Sequence, residues 1–447
     1  MTESLHITGI AMASDLSTII LFLIVSLTLI LGAGVWIGVA LMVIGYLGLS
    51  WFTAIPAANV LGTAIWTSLS SWNLAALPLF IWMGEILFRT RISENLFRGL
   101  APWVNWLPGR LLHVNVIGCG IFAAVSGSSA ATTATVGRMS LPELHKRGYD
   151  SGMSIASLAG SGTLGLLIPP SIIMIVYGVA AEVSIVRLFI AGVIPGVLLM
   201  ILFSSYIAVW ALINKNLAPM PEPSMPFFQR VKATAELIPI VLLILTIIAS
   251  IYLGLATATE AAVVGVVGSL GISWVSKTLT WSSFKESMMG ATRLSCMITL
   301  IIAGAAFLTS MMAYTGVPKS LATAVIDMDV NRYVLLAFLV VLYLILGCFI
   351  DGISMIVLTT AVVLPVIQAA GFDLIWFGIF IVILVEMAQI TPPVGFNLFV
   401  LQGITKKNIF YIAKVSSPFF ILMILLVAFI TVVPEIVTWL PSKMLGR

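Results

Sequence analysis

The sequence predicts an all-α polytopic membrane protein, with about ten transmembrane helices and two re-entrant helical hairpins in two inverted-topology repeats. Three observations lead there. Of the 447 residues, 61% are hydrophobic and only 9% are charged, with a mean hydropathy of +1.18; soluble domains carry roughly a quarter charged residues. Apolar runs of spanning length recur along the whole chain. The second half also repeats the first at a fixed offset, with paired prolines in register.

Taken in order, the runs at 16–33, 35–55, 73–90, 151–180, 186–213, 237–255, 258–276, 294–314, 374–402 and 409–435 read as spans. The stretches 111–147 and 332–370 are apolar as well, but SGSS (126–129) and Asp351-Gly352 interrupt them. An interrupted run of that length predicts a hairpin that enters and leaves the bilayer on one side. Residues 1–15 contain Glu3 and Asp15 and no Lys or Arg, so the start of the chain is expected to lead into a first span rather than to be a signal peptide. The Pro-rich segment 215–236 reads as a linker, and the amphipathic stretch 277–292 is expected to lie along the cytoplasmic surface. Trp72, Trp103, Trp106, Trp281 and Trp439 fall near span ends, the usual place for interfacial anchors.

A shift of 223 residues aligns the halves without a gap. It puts Leu141-Pro142 on Leu364-Pro365, Gly148 and Asp150 on Gly371 and Asp373, Pro169-Pro170 on Pro392-Pro393, and Pro195 on Pro418. The hairpin breaks coincide too, Ser128-Ser129 falling on Asp351-Gly352. The division is therefore a first repeat at 1–214 (hairpin 111–147, broken helix 151–180), a linker at 215–236, and a second repeat at 237–447 (hairpin 332–370, broken helix 374–402). Five spans per half make the second copy inverted relative to the first. Charge agrees: of the 21 Lys and Arg, fifteen fall on the side to which the first hairpin would open and five on the other, with Lys414 inside a helix. The positive-inside rule makes the rich side cytoplasmic.

Proline has no N–H to offer the carbonyl four residues back. Pro169 and Pro170 free the carbonyls of Gly165 and Leu166; Pro392 and Pro393 free those of Ala388 and Gln389. A carbonyl freed in hydrocarbon costs several kcal/mol unless something satisfies it. One such defect is ordinarily met by a hydroxyl or water at a kink. Two, each facing a polar or Gly-rich hairpin tip, point to converging neutral oxygens, which suit a small hard monovalent cation such as Na⁺. The new half-helix beyond each break directs its N-terminal dipole toward the midplane, where an anionic substrate could sit.

At the first tip Ser126, Ser128, Ser129, Thr132 and Thr133 offer side-chain oxygens, or simply let helices pack closely. Asp351 at the second tip is either a functional intramembrane carboxylate or a helix cap. Glu386 is either a protonatable coupling group or a buried hydrogen-bonding strut; Glu85 and Glu260 read as packing or interfacial carboxylates. Cys119, Cys296 and Cys348 have no metal-ligand spacing and read as small core residues. The scattered basic residues exclude a nucleic-acid partner. His6, His113 and His145 form neither H-E-x-x-H nor a triad, so the chain is not expected to be an enzyme.

The runs SGSSAATTATVGRM, LPELHKRGYD, GSGTLGLLIPPSIIMIVYG, GLATATEAAVVG and ITPPVGFNLFV, in that order, resemble the large membrane subunit of tripartite ATP-independent periplasmic (TRAP) transporters over essentially the whole chain. Ala258 stands where that family commonly has proline. The resemblance implies an elevator-type fold in the bacterial inner membrane and uptake of a small organic acid driven by a Na⁺ gradient. It also implies a periplasmic substrate-binding protein and a small four-helix membrane subunit, here expected as a separate chain. Carried onto this sequence, one Na⁺ site would use Ser126, Ser129, Gly165, Ile168 and Pro170, the other Gly347, Gly352, Ala388, Thr391 and Pro393. Ser128 and Asn397 are the expected substrate contacts. The rival reading is a stand-alone Na⁺- or H⁺-coupled carboxylate carrier of the same architecture.

Overall fold

The computed structural model describes residues 16–89, 92–217, 219, 226–327, 331–393 and 395–444. The expectation for residues 1–15 lies outside them, as does part of the 215–236 segment. Every regular element among the described residues is a helix. Five helices are each long and apolar enough to cross a membrane, and two bent pairs, Ala57–Leu69 with Trp72–Phe88 and Phe227–Thr234 with Ile238–Tyr252, raise that to seven. Leu16–Gly32 and Ile37–Phe52, at 17 and 16 residues, fall just short of the roughly 20 that a straight span needs. Their outward faces are nonetheless apolar, with Leu21, Ile24, Leu29 and Val43 exposed. Trp72, Trp106, Trp281 and Trp439 are exposed near helix ends, as interfacial anchors require. The protein is a polytopic helical membrane protein.

The 223-residue correspondence appears in the elements themselves. The second hairpin arms run Ser129–Lys146 and Gly352–Ala369. The broken helices begin at Ser151 and Leu374, where Asp150 and Asp373 cap them by accepting from the N–H of Met153 and Trp376. Gly148 and Gly371 ahead of those caps have φ of 77° and 76°, a left-handed conformation that glycine adopts without steric cost. Each broken helix stops before its proline pair and resumes after it: Ser151–Thr163 then Ile172–Ala180, and Leu374–Ala388 then Phe396–Thr405. Both Pro–Pro bonds, 169–170 and 392–393, are cis.

The helices pack in two regions that also touch one another, Gly352–Ala369 against Trp281–Thr315 and Leu112–Ser126 against Ala76–Phe88. In one, the 35-residue helix Trp281–Thr315 lies along Ile37–Phe52, Ala57–Leu69 and Ala76–Phe88. The backbones come close enough there that a Cβ on Gly304 would sit 2.4 Å from the Gly38 carbonyl oxygen, the small-residue contact typical of membrane helices. In the other, the hairpins and broken helices pack with Ile185–Ile213 and Ile409–Val432. Leu374–Ala388 runs through its middle, with Ile379 through Val385 completely buried, which explains a helix that is hydrophobic on every face.

Three expectations are corrected. The span expected at 294–314 begins earlier: residues 281–292 are the first turns of Trp281–Thr315, opened by a Thr280/Ser283 capping box. That segment holds no proline, and its one glycine, Gly290, packs against the Glu85 carboxylate, so nothing interrupts the helix. The segment 215–236 is not a plain linker. It contains the helix Phe227–Thr234, docked on Ile92–Val104 by a 2.7 Å hydrogen bond from Trp103 Nε1 to Thr234 Oγ1 and by an edge contact of Trp103 with Phe227. The span expected at 73–90 is the second limb of a pair bent by 58° whose first limb, Ala57–Leu69, was not singled out.

Candidate functional site

The first hairpin tip is a two-residue break. Leu112–Ser126 ends at Gly127, with φ of 57°, and Ser128 caps the next helix by accepting from the Ala131 N–H at 3.4 Å. Gly followed by Ser is the residue pair this junction calls for. Ser126 and Ser129 are buried, and Ser126 Oγ bonds Thr132 Oγ1 at 2.7 Å, while Thr132 Oγ1 donates to the Ser128 carbonyl at 2.8 Å. The first broken helix meets this tip directly. A Cβ on Gly165 would lie 2.7 Å from the Ser128 carbonyl oxygen and 2.9 Å from the Ser129 nitrogen, and one on Gly127 would lie 3.3 Å from the Pro170 carbonyl oxygen. Ser126, Ser129, Gly165 and Pro170 therefore share one junction. Ile168 belongs to the same turn, but its side chain faces Gly120 and Gly196, leaving only its backbone for the junction.

The second junction is built differently. Arg332–Gly347 and Gly352–Ala369 are separated by four residues. The hairpin presses so closely on the broken helix that a Cβ on Gly347 would lie 2.2 Å from Ala388 Cβ, and one on Gly352 2.3 Å from Val385 Cγ1. Thr391 is half-buried and its hydroxyl donates to the Met387 carbonyl at 2.7 Å. Gly347, Gly352, Ala388 and Thr391 come together; Pro393 lies on the exposed rim of the same turn. Asp351 accepts from the N–H groups of Ile353 and Ser354 at 3.1 and 3.2 Å, and from Ser354 Oγ at 2.5 Å. That is the cap reading of Asp351.

Three of the four carbonyls freed by the prolines have found donors. Ser171 Oγ holds Leu166 O at 2.5 Å, the Thr391 N–H reaches Ala388 O at 3.3 Å, and the Asn397 N–H holds Gln389 O at 3.1 Å. A carbonyl has two lone pairs, so each keeps one for another partner. Ser171 was not singled out in the sequence, although a serine directly after Pro-Pro is a helix-start signal. Cys348, read as a small core residue, has its thiol 3.3 Å from both Leu344 O and Pro392 O; its place beside the Gly347 break was the available clue.

Of the expected substrate contacts, Ser128 is half-buried at the first tip. Asn397 is fully buried, its Oδ1 accepting from Ser129 Oγ at 2.8 Å while Nδ2 has no hydrogen-bond partner. Glu386 is also fully buried. Its carboxylate lies toward the Leu167 N–H of the other broken helix, but neither oxygen makes the hydrogen bond of normal geometry that a strut would need. Glu85 pairs with Arg89 at 2.6 Å, and Arg89 reaches Glu286 on Trp281–Thr315 at 3.7 Å. Glu260 closes a capping box with Thr257. Neither carboxylate faces a break.

The profile of the DctM component of the tripartite ATP-independent periplasmic transporters matches residues 23–436, which include both tips and both breaks. The chain belongs to this family. It is 32% identical over 442 residues to the C4-dicarboxylate TRAP transporter large permease protein DctM of Vibrio cholerae, covering 92% of this chain and 95% of that protein. It is 30% identical to the isethionate TRAP transporter permease protein DctMQ of Oleidesulfovibrio alaskensis, over 93% of this chain and 64% of that longer one. Among solved structures, the Alcanivorax borkumensis YdaH transporter superposes with a TM-score of 0.58 over 86% of this chain and 88% of its own, at 12% identity; that likeness concerns the fold alone. The DctM component is a component of a membrane transporter.

Proposed function

We propose that the chain is the large permease subunit of a Na⁺-gradient-driven importer in the bacterial inner membrane. It takes a small organic acid from a periplasmic substrate-binding protein and works beside a small four-helix membrane subunit. The carrying observation is the pair of tip–break junctions, each lined by neutral backbone and hydroxyl oxygens and offset by 223 residues. Neutral hard oxygens fit a monovalent cation, which when bound would supply charge to draw an acid's carboxylate to the midplane. Ser126, Ser129, Gly165, Ile168 and Pro170 would hold one ion; Gly347, Gly352, Ala388, Thr391 and Pro393 the other. Ser128 and Asn397 would contact the substrate.

The two repeats, 1–214 and 237–447, would be inverted, in keeping with the charge asymmetry of the loops. In an elevator motion, the helices holding both hairpins would slide, within surrounding lipid, against those packed along Trp281–Thr315. The name DctMQ, borne by a relative that extends beyond this chain, supports a second membrane component.

The test is uptake into liposomes containing this chain and its small partner, supplied with labelled acid on candidate binding proteins. Uptake is expected only with both an inward Na⁺ gradient and the cognate binding protein. Uptake of free substrate without a binding protein would favour the stand-alone carrier.

A further inference from the structure

One side chain joins the two junctions. Asn397, on Phe396–Thr405, is fully buried and accepts from Ser129 Oγ at 2.8 Å. Ser129 opens the second arm of the first hairpin and is 3% exposed. Through its backbone N–H, Asn397 also holds Gln389 O at 3.1 Å, one of the carbonyls freed by the second proline pair. Gly395 closes over this turn, the position of a Cβ lying 2.7 Å from Gln389 O and 2.9 Å from Thr391 O. On the hairpin side, Asn397 Nδ2 and Thr133 Oγ1 both lie at the face of Gly162. Ser129 and Thr133 are one helical turn apart and share a face, so the amide rests across the first turn of the hairpin arm. Two hydrogen bonds thus run from the first junction to the second through a single buried residue.

We propose that Asn397 couples the two cation sites, an ion at the first raising the affinity for an ion at the second; this rests on reading the junctions as Na⁺ sites. A cation on a lone pair of Ser129 Oγ turns the hydroxyl proton away from itself, toward Asn397 Oδ1. The polarised hydroxyl is then a stronger donor. Fixing the Asn397 side chain fixes its backbone, and with it Gln389 O and the turn that presents Ala388, Thr391 and Pro393. The second ion meets a turn already ordered, so less conformational entropy is lost when it binds. Linkage is reciprocal: the second ion tightens the first by the same factor, commonly about 5- to 150-fold. Repulsion between the ions opposes this, and a Hill coefficient below 1 would mean that it wins and would overturn the coupling.

Na⁺ titration of the purified chain with its small partner, without substrate and read by calorimetry, tests the coupling. The wild type is expected to give a Hill coefficient of about 1.5 or more, out of the two sites proposed. Asn397→Leu, which keeps the volume but removes the acceptor, should bring it to about 1 and weaken half-saturation by about fivefold or more. Asn397→Asp restores an acceptor for Ser129 and should keep the cooperativity, which a merely structural side chain would not reproduce. Thermal unfolding of each variant identifies any that fails to fold, and the Asp and Leu variants each test the point independently. An unchanged Hill coefficient in Asn397→Leu, loss of cooperativity in a folded Asn397→Asp, or a wild-type coefficient of 1 would overturn the coupling while leaving Na⁺ binding intact. A wild type that binds no Na⁺ would overturn the Na⁺ reading and the coupling with it.

Discussion

Ser129 and Gly165 carry the first junction in different ways, and substitutions separate them. Ser129→Ala removes a hydroxyl that faces the proposed ion and Asn397. A hydrogen bond or ligand contact to a charged group is worth about 1.5–3 kcal/mol, so half-saturation by Na⁺ should rise roughly 10- to 150-fold in uptake assays. Gly165→Ala would force a Cβ to 2.7 Å from backbone at Ser128, which no rotamer relieves. Na⁺-driven uptake should be lost, while Gly271→Ala, where nothing lies within 4 Å, should transport normally. Asp351 discriminates between its two readings. As a cap, Asp351→Asn should keep most of the transport rate, and Asp351→Ala should cost about 1 kcal/mol of stability, visible as a lower melting temperature. Loss of coupling in Asp351→Asn would make the carboxylate functional instead. The residue types at both breaks were readable in the sequence because Gly, Ser, Asp and Pro act locally. The Ser129–Asn397 contact was not, since the two lie in different halves and only packing brings them together.

At the level of elements, the interruptions were legible and the continuities less so. SGSS, Asp351-Gly352 and the proline pairs each fall where the structure breaks a helix, because capping and missing N–H groups are properties of a few adjacent residues. Whether 281–292 joined the following span depended on contacts that no local pattern encodes, among them Gly290 against Glu85 and Trp82 Nε1 donating to Ser287 Oγ. Spin labels at positions 282 and 313 test that continuity. A single straight helix separates them by about 46 Å at 1.5 Å per residue, whereas a surface helix meeting a span at a right angle would bring them to about 35 Å. In the same way, a Pro-rich composition correctly marked 215–236 as lying outside the spans, but Phe227–Thr234 is helical because Trp103 and Ile92–Val104 give it a surface to dock on.

For the whole molecule, the repeat was the most informative signal, since a register shared by paired prolines, glycines and capping aspartates constrains backbone geometry rather than composition. It anticipated the equivalent helix starts at 129 and 352 and at 151 and 374. It did not anticipate how unlike the two junctions are: the first is rich in hydroxyls, the second relies on close glycine packing, a thiol and backbone carbonyls. The central claim is that these two unlike junctions hold the coupling ions. Cryo-electron microscopy of the chain with its small partner, prepared once in Na⁺ and once in a bulky organic cation, reads this directly. The account predicts spherical density in Na⁺ only, one feature among Ser126, Ser129, Gly165, Ile168 and Pro170 and a second among Gly347, Gly352, Ala388, Thr391 and Pro393. Junctions that look the same in both preparations, or Na⁺-dependent density at the carboxylate of Asp351 or Glu386 instead, would contradict it.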